Sequence, residues 1–183
     1  MTAQPSHPLA LDPDAPLTAF SQCHAGILAR LDALAGLPAL IAAAEKARKV
    51  STDALALFQH GVFDHHAEEE GELFCAVVRS AHAGHERDSV QAMVDRLTHE
   101  HRSMEALWKR VEPAVHATAR GKPAQIDSAA VAELVCAYGN HARFEEQEFL
   151  PLAEIILGRN GNHMAALGLS MHMRHAQTPV GYI

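Results

Sequence analysis

Apolar side chains recur at spacings of three and four along most of the chain, which is the pattern of helices that bury one face. No segment sustains the period-two alternation that is typical of strands. Prolines, glycines and charged stretches divide the pattern into four long segments. We predict helices at roughly 15–49, with a kink at Gly36-Leu37-Pro38, and at roughly 52–80, 88–119 and 128–157. The expected N-caps are Asp14, Ser51, Asp88 and Asp127.

Four long helices joined by short loops favour an all-α fold, an up-down-up-down four-helix bundle. The bundle would be a single domain covering 15–157, a length that can bury a sizeable core without disulfides. We expect residues 1–14 to form an irregular N-terminal arm. We expect residues 158–183 to form a C-terminal tail or short helix.

Each apolar stripe contains one histidine, and two of the stripes add a glutamate one turn later. These side chains are His24, His65, Glu69, His101, His141 and Glu145. An unpaired charge inside a core costs several kcal/mol, so six such positions in phase with the stripes need a common explanation. We therefore expect the four helices to converge on one polar cluster.

The second and fourth helices repeat each other, since "HHAEEEGELF" from His65 and "HARFEEQEFL" from His141 share His-x-x-x-Glu-Glu followed by large apolar residues. A histidine and a glutamate four apart lie on one helical face and can point at one metal ion. Imidazole and carboxylate donors without thiolate suit iron, and also manganese or zinc. Two metals could share Glu69 and Glu145, with two histidines each.

Three positions leave alternatives open. Alignment with His141 favours His65 as the ligand of the second helix, and His66 with Glu70 is the alternative pair. Glu105 shares the general face of His101, as a seventh ligand, a base beside the metal or a solvated charge. Tyr138 is most simply a core residue, and otherwise a hydrogen-bond donor to a ligand or to bound dioxygen.

The doubled pattern resembles the hemerythrin-like HHE cation-binding family, and the resemblance covers about Leu17 to Leu157. It implies a four-helix bundle with a non-haem di-iron centre: two iron ions joined by an oxide or hydroxide, with manganese or zinc as alternatives. Residue by residue, it implies the same six side chains as ligands. Ferritin-like bundles are built instead on Glu-x-x-His, which this sequence lacks.

The sequence departs from the oxygen-carrying hemerythrins, which have a His-x-x-x-His in the third helix. Here Glu105 stands four residues after His101. The chain is more similar to bacterial HHE proteins, which implies interaction with a small diatomic ligand or peroxide: dioxygen, peroxide or nitric oxide, in oxygen, iron or nitrosative stress. An iron- or redox-sensing domain without turnover and a di-metal oxidase or peroxidase are the alternatives, and no catalytic residue is assigned.

Charge and cysteine usage exclude several other classes. The formal net charge is -7, without a basic face, so we expect no nucleic-acid partner. The three cysteines are far apart, which favours a reducing compartment, and we expect a cytoplasmic protein. The low-charge run around "LPALIAAA" is too short to cross a bilayer, so we expect no membrane contact. Monomer and homodimer are both open.

Overall fold

The computed structural model of the protein describes residues 16–161 and 168. Within those residues all regular secondary structure is helical, as the sequence predicts. The predicted N-terminal arm and most of the predicted C-terminal tail lie outside the described residues. The chain divides into two units, Met1–Ala47 and Arg48–Ile183.

The described helices follow one another with few interruptions. They are α1 (Pro16–Ala35), α2 (Leu37–Leu57), α3 (Phe63–Glu68), α4 (Phe74–Ser80), α5 (His85–Ala119), α6 (Ser128–Phe144) and α7 (Leu150–Gly158). Three π-helical segments connect some of them without a break: Phe58–Val62, Glu69–Leu73 and Glu145–Phe149. The chain is therefore helical from Leu37 to Ser80 and again from Ser128 to Gly158. In the second unit, three long continuous helical segments, called rods below, provide the core. They are 48–80, His85–Ala119 and 128–158.

The predicted helix boundary at Ser51 is wrong, because α2 runs through this position without interruption. Ser51 is buried inside the helix instead of capping a new one. The hydroxyl of the next residue, Thr52, donates to the carbonyl oxygen of Arg48 at 3.0 Å. A hydroxyl that donates to a carbonyl oxygen of the preceding turn is compatible with a continuous helix. Neither Ser51 nor Thr52 therefore has to mark the start of a helix.

The start of α5 also differs from the prediction. The helix begins at His85, three residues before the expected start, and Asp88 lies in its first turn rather than at the N-cap. Gly84 precedes the helix with a φ of 94°, a backbone conformation that glycine adopts readily. The carboxylate of Asp88 still lies near the positive end of the helix dipole, where it is favourable.

Asp127 caps α6, as predicted. Its carboxylate accepts a hydrogen bond from the backbone N–H of Ala130 at 3.0 Å. The same carboxylate accepts a hydrogen bond from Arg110 of α5, also at 3.0 Å. Asp127 therefore satisfies a free N–H group of α6 and ties the start of this helix to its neighbour.

The core of the second unit consists of two apolar clusters. One contains Phe58, Val62, Met104, Leu107, Trp108, Val111, Val115, Ala130 and Leu134. The other contains Phe74, Val77, Ala81, Val90, Leu97, Phe149, Ala153, Ile156 and Leu157. His101 lies in α5 between Leu97 of one cluster and Met104 of the other. A polar layer at this level therefore has apolar packing on both sides along the helix axes.

The apolar stripe of α1 is exposed in the first unit: Ile27, Leu31 and Leu34. Burial of this stripe in the core of a bundle stays a prediction. The helical run Ser21–Ser80 is also long and apolar enough to cross a membrane by length and composition, with a mean hydropathy of 1.7 in its most apolar window. Core helices of soluble proteins and signal sequences pass the same test, so the absence of membrane contact stays a prediction.

Replacing Asp127 with Ala should lower the free energy of unfolding by about 0.5–2 kcal/mol, because one N–H group at the start of α6 loses its partner. Asp127→Asn is the matched control, since the amide oxygen can still cap the helix. Urea unfolding followed by the fluorescence of the single tryptophan, Trp108, measures the difference. Equal stability of the Ala variant and the parent would contradict this role.

Candidate metal centre

Three buried histidines of the second unit form a compact group, the histidine triad: His66, His101 and His141. One ring nitrogen of each lies within 4.8 Å of a ring nitrogen of the other two. The rings of His66 and His101 stack with centroids 3.8 Å apart, and the ring of His141 stands edge-on to that of His101 at 4.8 Å. The three side chains come from α3, α5 and α6, so the triad joins all three rods.

A second group, the carboxylate group, lies beside the triad and contains His65, Glu69 and Glu145. One ligand atom of each again lies within 4.8 Å of the others. Glu69 connects the two groups, because Oε1 is 3.1 Å from Nε2 of His65 and Oε2 is 3.3 Å from Nε2 of His101. Oε2 of Glu145 lies 3.9 Å from Nε2 of His141. The two groups form one continuous set of nitrogen and oxygen donors.

Polar atoms without partners concentrate in this cluster. Among the described residues, the buried side-chain atoms that lack a hydrogen-bond partner are His66 Nδ1 and Nε2, Glu69 Oε2, His101 Nε2, His141 Nε2 and Glu145 Oε1. Buried polar atoms are nearly always paired, and leaving one unpaired costs about 1–3 kcal/mol. All these atoms are electron-pair donors of the kind that bind metals. The donor set therefore fits one or two metal cations.

The π-helical segments explain which residues turn inward. Two of them begin at the carboxylates of the cluster, Glu69 and Glu145. A π turn contains more residues than an α turn, so it shifts the face that the following residues occupy. The segment Phe58–Val62 comes directly before α3, and Phe58, Val62 and His66 follow each other at intervals of four on the buried face.

The structure therefore buries His66 and leaves His65 with half of its side chain exposed. The sequence favoured His65, and here both residues reach the cluster: His66 in the triad and His65 beside Glu69. The alternative pairing of His66 with Glu70 is not formed, because Glu70 contacts His101 instead. An α-helical period does not distinguish His65 from His66, because π-helical segments before and after α3 shift the buried face of the helix.

The other predicted ligands divide into two sets. Four of them are brought together at the centre of the second unit: Glu69, His101, His141 and Glu145. His24 lies on α1 in the first unit, and its side chain is exposed. His24 as a ligand stays a prediction from the sequence.

The two buried carboxyl groups influence each other strongly. Burial, together with the nearby Glu69, raises the pKa of Glu145 to about 8. The pKa of Glu69 is lowered instead: burial opposes this, but contacts with His101 and Glu145 outweigh it. Neighbouring buried carboxyl groups cannot both ionise easily, so the metal-free pair holds one proton at neutral pH. A metal cation would replace that proton.

The histidines differ in the same way. Burial is the largest cause that lowers the pKa of His66 to about 3, and the neighbouring His101 adds to it. Burial also lowers the pKa of His141. The pKa of His101 is raised, because contacts with Glu69 and Glu70 outweigh its burial. Two of the three imidazoles are therefore held neutral, which is the form that binds a metal.

The residues around the triad are mostly acidic. Glu70 accepts a hydrogen bond from Nδ1 of His101 at 2.8 Å, and Glu100 accepts one from Nδ1 of His141 at 3.1 Å. Glu105 lies 3.5 Å from Nδ1 of His66, and the ring of Tyr138 is 6.3 Å from that of His66. The sequence singles out Glu70, Glu105 and Tyr138 as candidates. It does not single out Glu100, which contacts a histidine 41 residues away in the chain.

A cavity of about 340 Å³ opens onto the carboxylate group. Its lining includes His65, Glu69 and Glu145, with Leu73 and Leu150 as apolar walls. The volume suits a small molecule rather than a large substrate. Part of the donor set is therefore accessible, whereas the histidine triad is enclosed.

Residues 15–153 match the family model of the hemerythrin HHE cation binding domain. The matched range contains both groups of the cluster and also His24. No curated protein and no solved structure matches the chain.

In the metal-free protein, Glu145→Gln should flatten the loss of stability between pH 6.5 and 8. Because the pKa of Glu145 is raised, its stabilising contribution is fully present below the unfolded value of 4.5 and is lost as the pH rises from there to about 8. His66, whose pKa is lowered, contributes only at lower pH, as the unfolded chain takes up protons below about 6.5. Thermal unfolding at several pH values in the presence of a chelator measures the slope.

Glu148→Gln, in the same π-helical segment but exposed, is the control for this slope. It should behave like the parent. An equal pH dependence in the parent and in Glu145→Gln would rule out the shared proton.

Proposed function

Because the chain belongs to the hemerythrin family of HHE cation-binding domains, we propose that it binds two iron ions and, through them, dioxygen, peroxide or nitric oxide. The observation that carries the proposal is the set of buried nitrogen and oxygen atoms without partners. A core does not retain such atoms at this density unless something binds them. A cation supplies the positive charge that makes the buried carboxylates tolerable.

The arrangement of donors supports two metals rather than one. The histidine triad offers three nitrogens to one ion, and the carboxylate group offers oxygens of Glu69 and Glu145 with His65 to a second. Glu69 lies between the groups and has one oxygen near each, so it is suited to bridge two ions. Donors of this type bind iron, and manganese or zinc are the alternatives.

When bound, iron would supply redox and Lewis-acid chemistry at this position. The protein's own residues have four separate tasks. The two apolar clusters exclude water from the histidine triad, and the three rods fix the imidazoles relative to each other. The cavity at the carboxylate group admits a small ligand. The half-buried ring of Tyr138 lies 6.3 Å from that of His66 and 6.0 Å from that of His141, and its hydroxyl would donate a hydrogen bond toward the cluster.

We also propose the complete up-down-up-down four-helix bundle that the sequence predicts, with 15–49 as its first helix. We propose His24 as a further ligand. It shares a face of α1 with Ile27 and Leu31, which are exposed in the first unit.

The proposed location is the cytoplasm, and the proposed partner is a small ligand rather than a nucleic acid or a membrane. All three cysteines are free and exposed, which fits a compartment that keeps thiols reduced. The acidic net charge opposes binding to nucleic acid.

His101→Ala should lower the iron content of protein loaded with Fe²⁺ without oxygen by about half or more, because the triad loses the ring nitrogen that lies 3.3 Å from Glu69 of the carboxylate group. His99→Ala is the matched control, since His99 is exposed on the same helix two residues away. Metal analysis by mass spectrometry measures the iron, and circular dichroism checks that both variants are folded. Full loading of His101→Ala would contradict the proposed site.

Protein loaded with ferrous iron should change its near-ultraviolet and visible spectrum on exposure to air or nitric oxide, because its iron is redox-active. Zinc-loaded protein, which fills the same donors with an ion that does not change valence, should show no change. An iron-loaded spectrum that is indifferent to air, peroxide and nitric oxide would leave metal binding intact and exclude the proposed ligands.

A further inference from the structure

Two imidazoles of the histidine triad are held from behind by carboxylates. Nδ1 of His101 lies 2.8 Å from Oε1 of Glu70, and Nδ1 of His141 lies 3.1 Å from Oε2 of Glu100. A carboxylate can only accept a hydrogen bond, so Nδ1 of each imidazole carries a proton. Nε2 faces the inner side of the cluster, where it can bind a metal, and in both residues it has no hydrogen-bond partner.

Each of these carboxylates is in turn held by an arginine of α5. Nε of Arg96 donates to Oε1 of Glu100 at 2.8 Å. Arg102 donates through one terminal nitrogen to Oε2 of Glu70. In both cases one oxygen of the glutamate faces the histidine and the other faces the arginine. The same order, arginine to glutamate to histidine, therefore occurs twice around the cluster.

Arg102 differs from Arg96 because it holds a second carboxylate. Its other terminal nitrogen donates to Oε1 of Glu105 at 3.0 Å. That same oxygen lies 3.5 Å from Nδ1 of His66. One guanidinium group thus spans the glutamates behind two stacked histidines, which come from α3 and α5.

This contact is poorly suited to stabilise the fold. The Arg102 side chain is 56% exposed, and ion pairs of such groups add little to stability in water. It is well suited to fix orientation, because a planar guanidinium group binds two acceptors in a defined geometry. Without it, Glu70 and Glu105, both only partly exposed, could turn toward solvent and release the imidazoles.

We propose that Arg102 is a positioning residue for the metal site, which acts through Glu70 on His101 and through Glu105 on His66. The inference rests on the proposed function, because it assumes that the triad binds a metal. Arg102 itself does not touch the donors that face the cluster. It keeps the proton of His101 on Nδ1 and the ring in the plane that directs Nε2 inward.

The test compares Co²⁺ binding to the parent, Arg102→Gln and Arg110→Gln, measured by competition with a coloured chelator. Arg110 is the matched control: it lies on the same helix, is equally exposed and pairs with Asp127 far from the triad. Loss of a group that orients a metal-binding histidine typically costs about 10- to 100-fold in affinity. We expect that loss for Arg102→Gln and none for Arg110→Gln.

Two further readouts separate positioning from a structural role. In metal-free protein, proton spectra should show the Nδ1–H of His101 as a hydrogen-bonded, slowly exchanging signal in the parent and as a broadened, faster exchanging signal in Arg102→Gln. The double variant with Glu70→Gln and Arg102→Gln should bind Co²⁺ at least as tightly as the double variant with Glu70→Gln and Glu105→Gln. The reason is that the arginine acts through these two glutamates. Arg102→Lys, which keeps the charge but not the fork, should be intermediate.

The inference is overturned if Arg102→Gln binds Co²⁺ as tightly as the parent. It is equally overturned if the variant unfolds at a lower temperature while its affinity and its histidine spectra stay unchanged. A parent protein that binds neither Co²⁺ nor iron would instead overturn the proposed function itself, so the two failures are distinguishable.

Discussion

The structure of the second unit depends on one constraint: carboxylates and imidazoles lie inside an apolar core without enough partners of their own. Glu69 and Glu145 are both nearly inaccessible to solvent, and burial of each charge is unfavourable unless a cation or proton accompanies it. In the metal-free chain a proton shared by the pair serves this purpose. A metal would serve it better, because it can also engage the ring nitrogens that have no partner.

The helices are adapted to this constraint. The π-helical segments that begin at Glu69 and Glu145 widen the backbone where the carboxylates enter the cluster. Such segments weaken regular helical hydrogen bonding and occur frequently at functional sites. Above and below, large apolar side chains such as Trp108 and Phe149 close the core. The stability of the unit thus comes from the two apolar clusters, and the polar layer between them provides the donor atoms of the candidate metal centre.

Much of this could be predicted from the sequence, because it depends on periodicity and repetition. The doubled His-x-x-x-Glu motif identified Glu69, His141 and Glu145, and Asp127 was recognised as a cap from its position alone. Alignment with His141 favours His65 over His66, but it does not show that both reach the cluster, since a π turn changes the spacing without leaving a clear mark in the sequence. The predicted N-cap at Ser51 is wrong for a related reason. A serine can cap a helix or lie within one, and tertiary packing decides which of the two occurs. Glu100 was missed because its contact with His141 joins residues far apart in the chain.

Binding of two iron ions by the histidine triad and the carboxylate group can be tested by anomalous scattering from crystals of the iron-loaded protein, collected just above and just below the iron absorption edge. We expect two anomalous peaks above the edge, one beside the triad and one beside Glu69 and Glu145. Both peaks should disappear below the edge. A cluster without a peak in fully loaded protein, or iron found only at surface histidines, would contradict it.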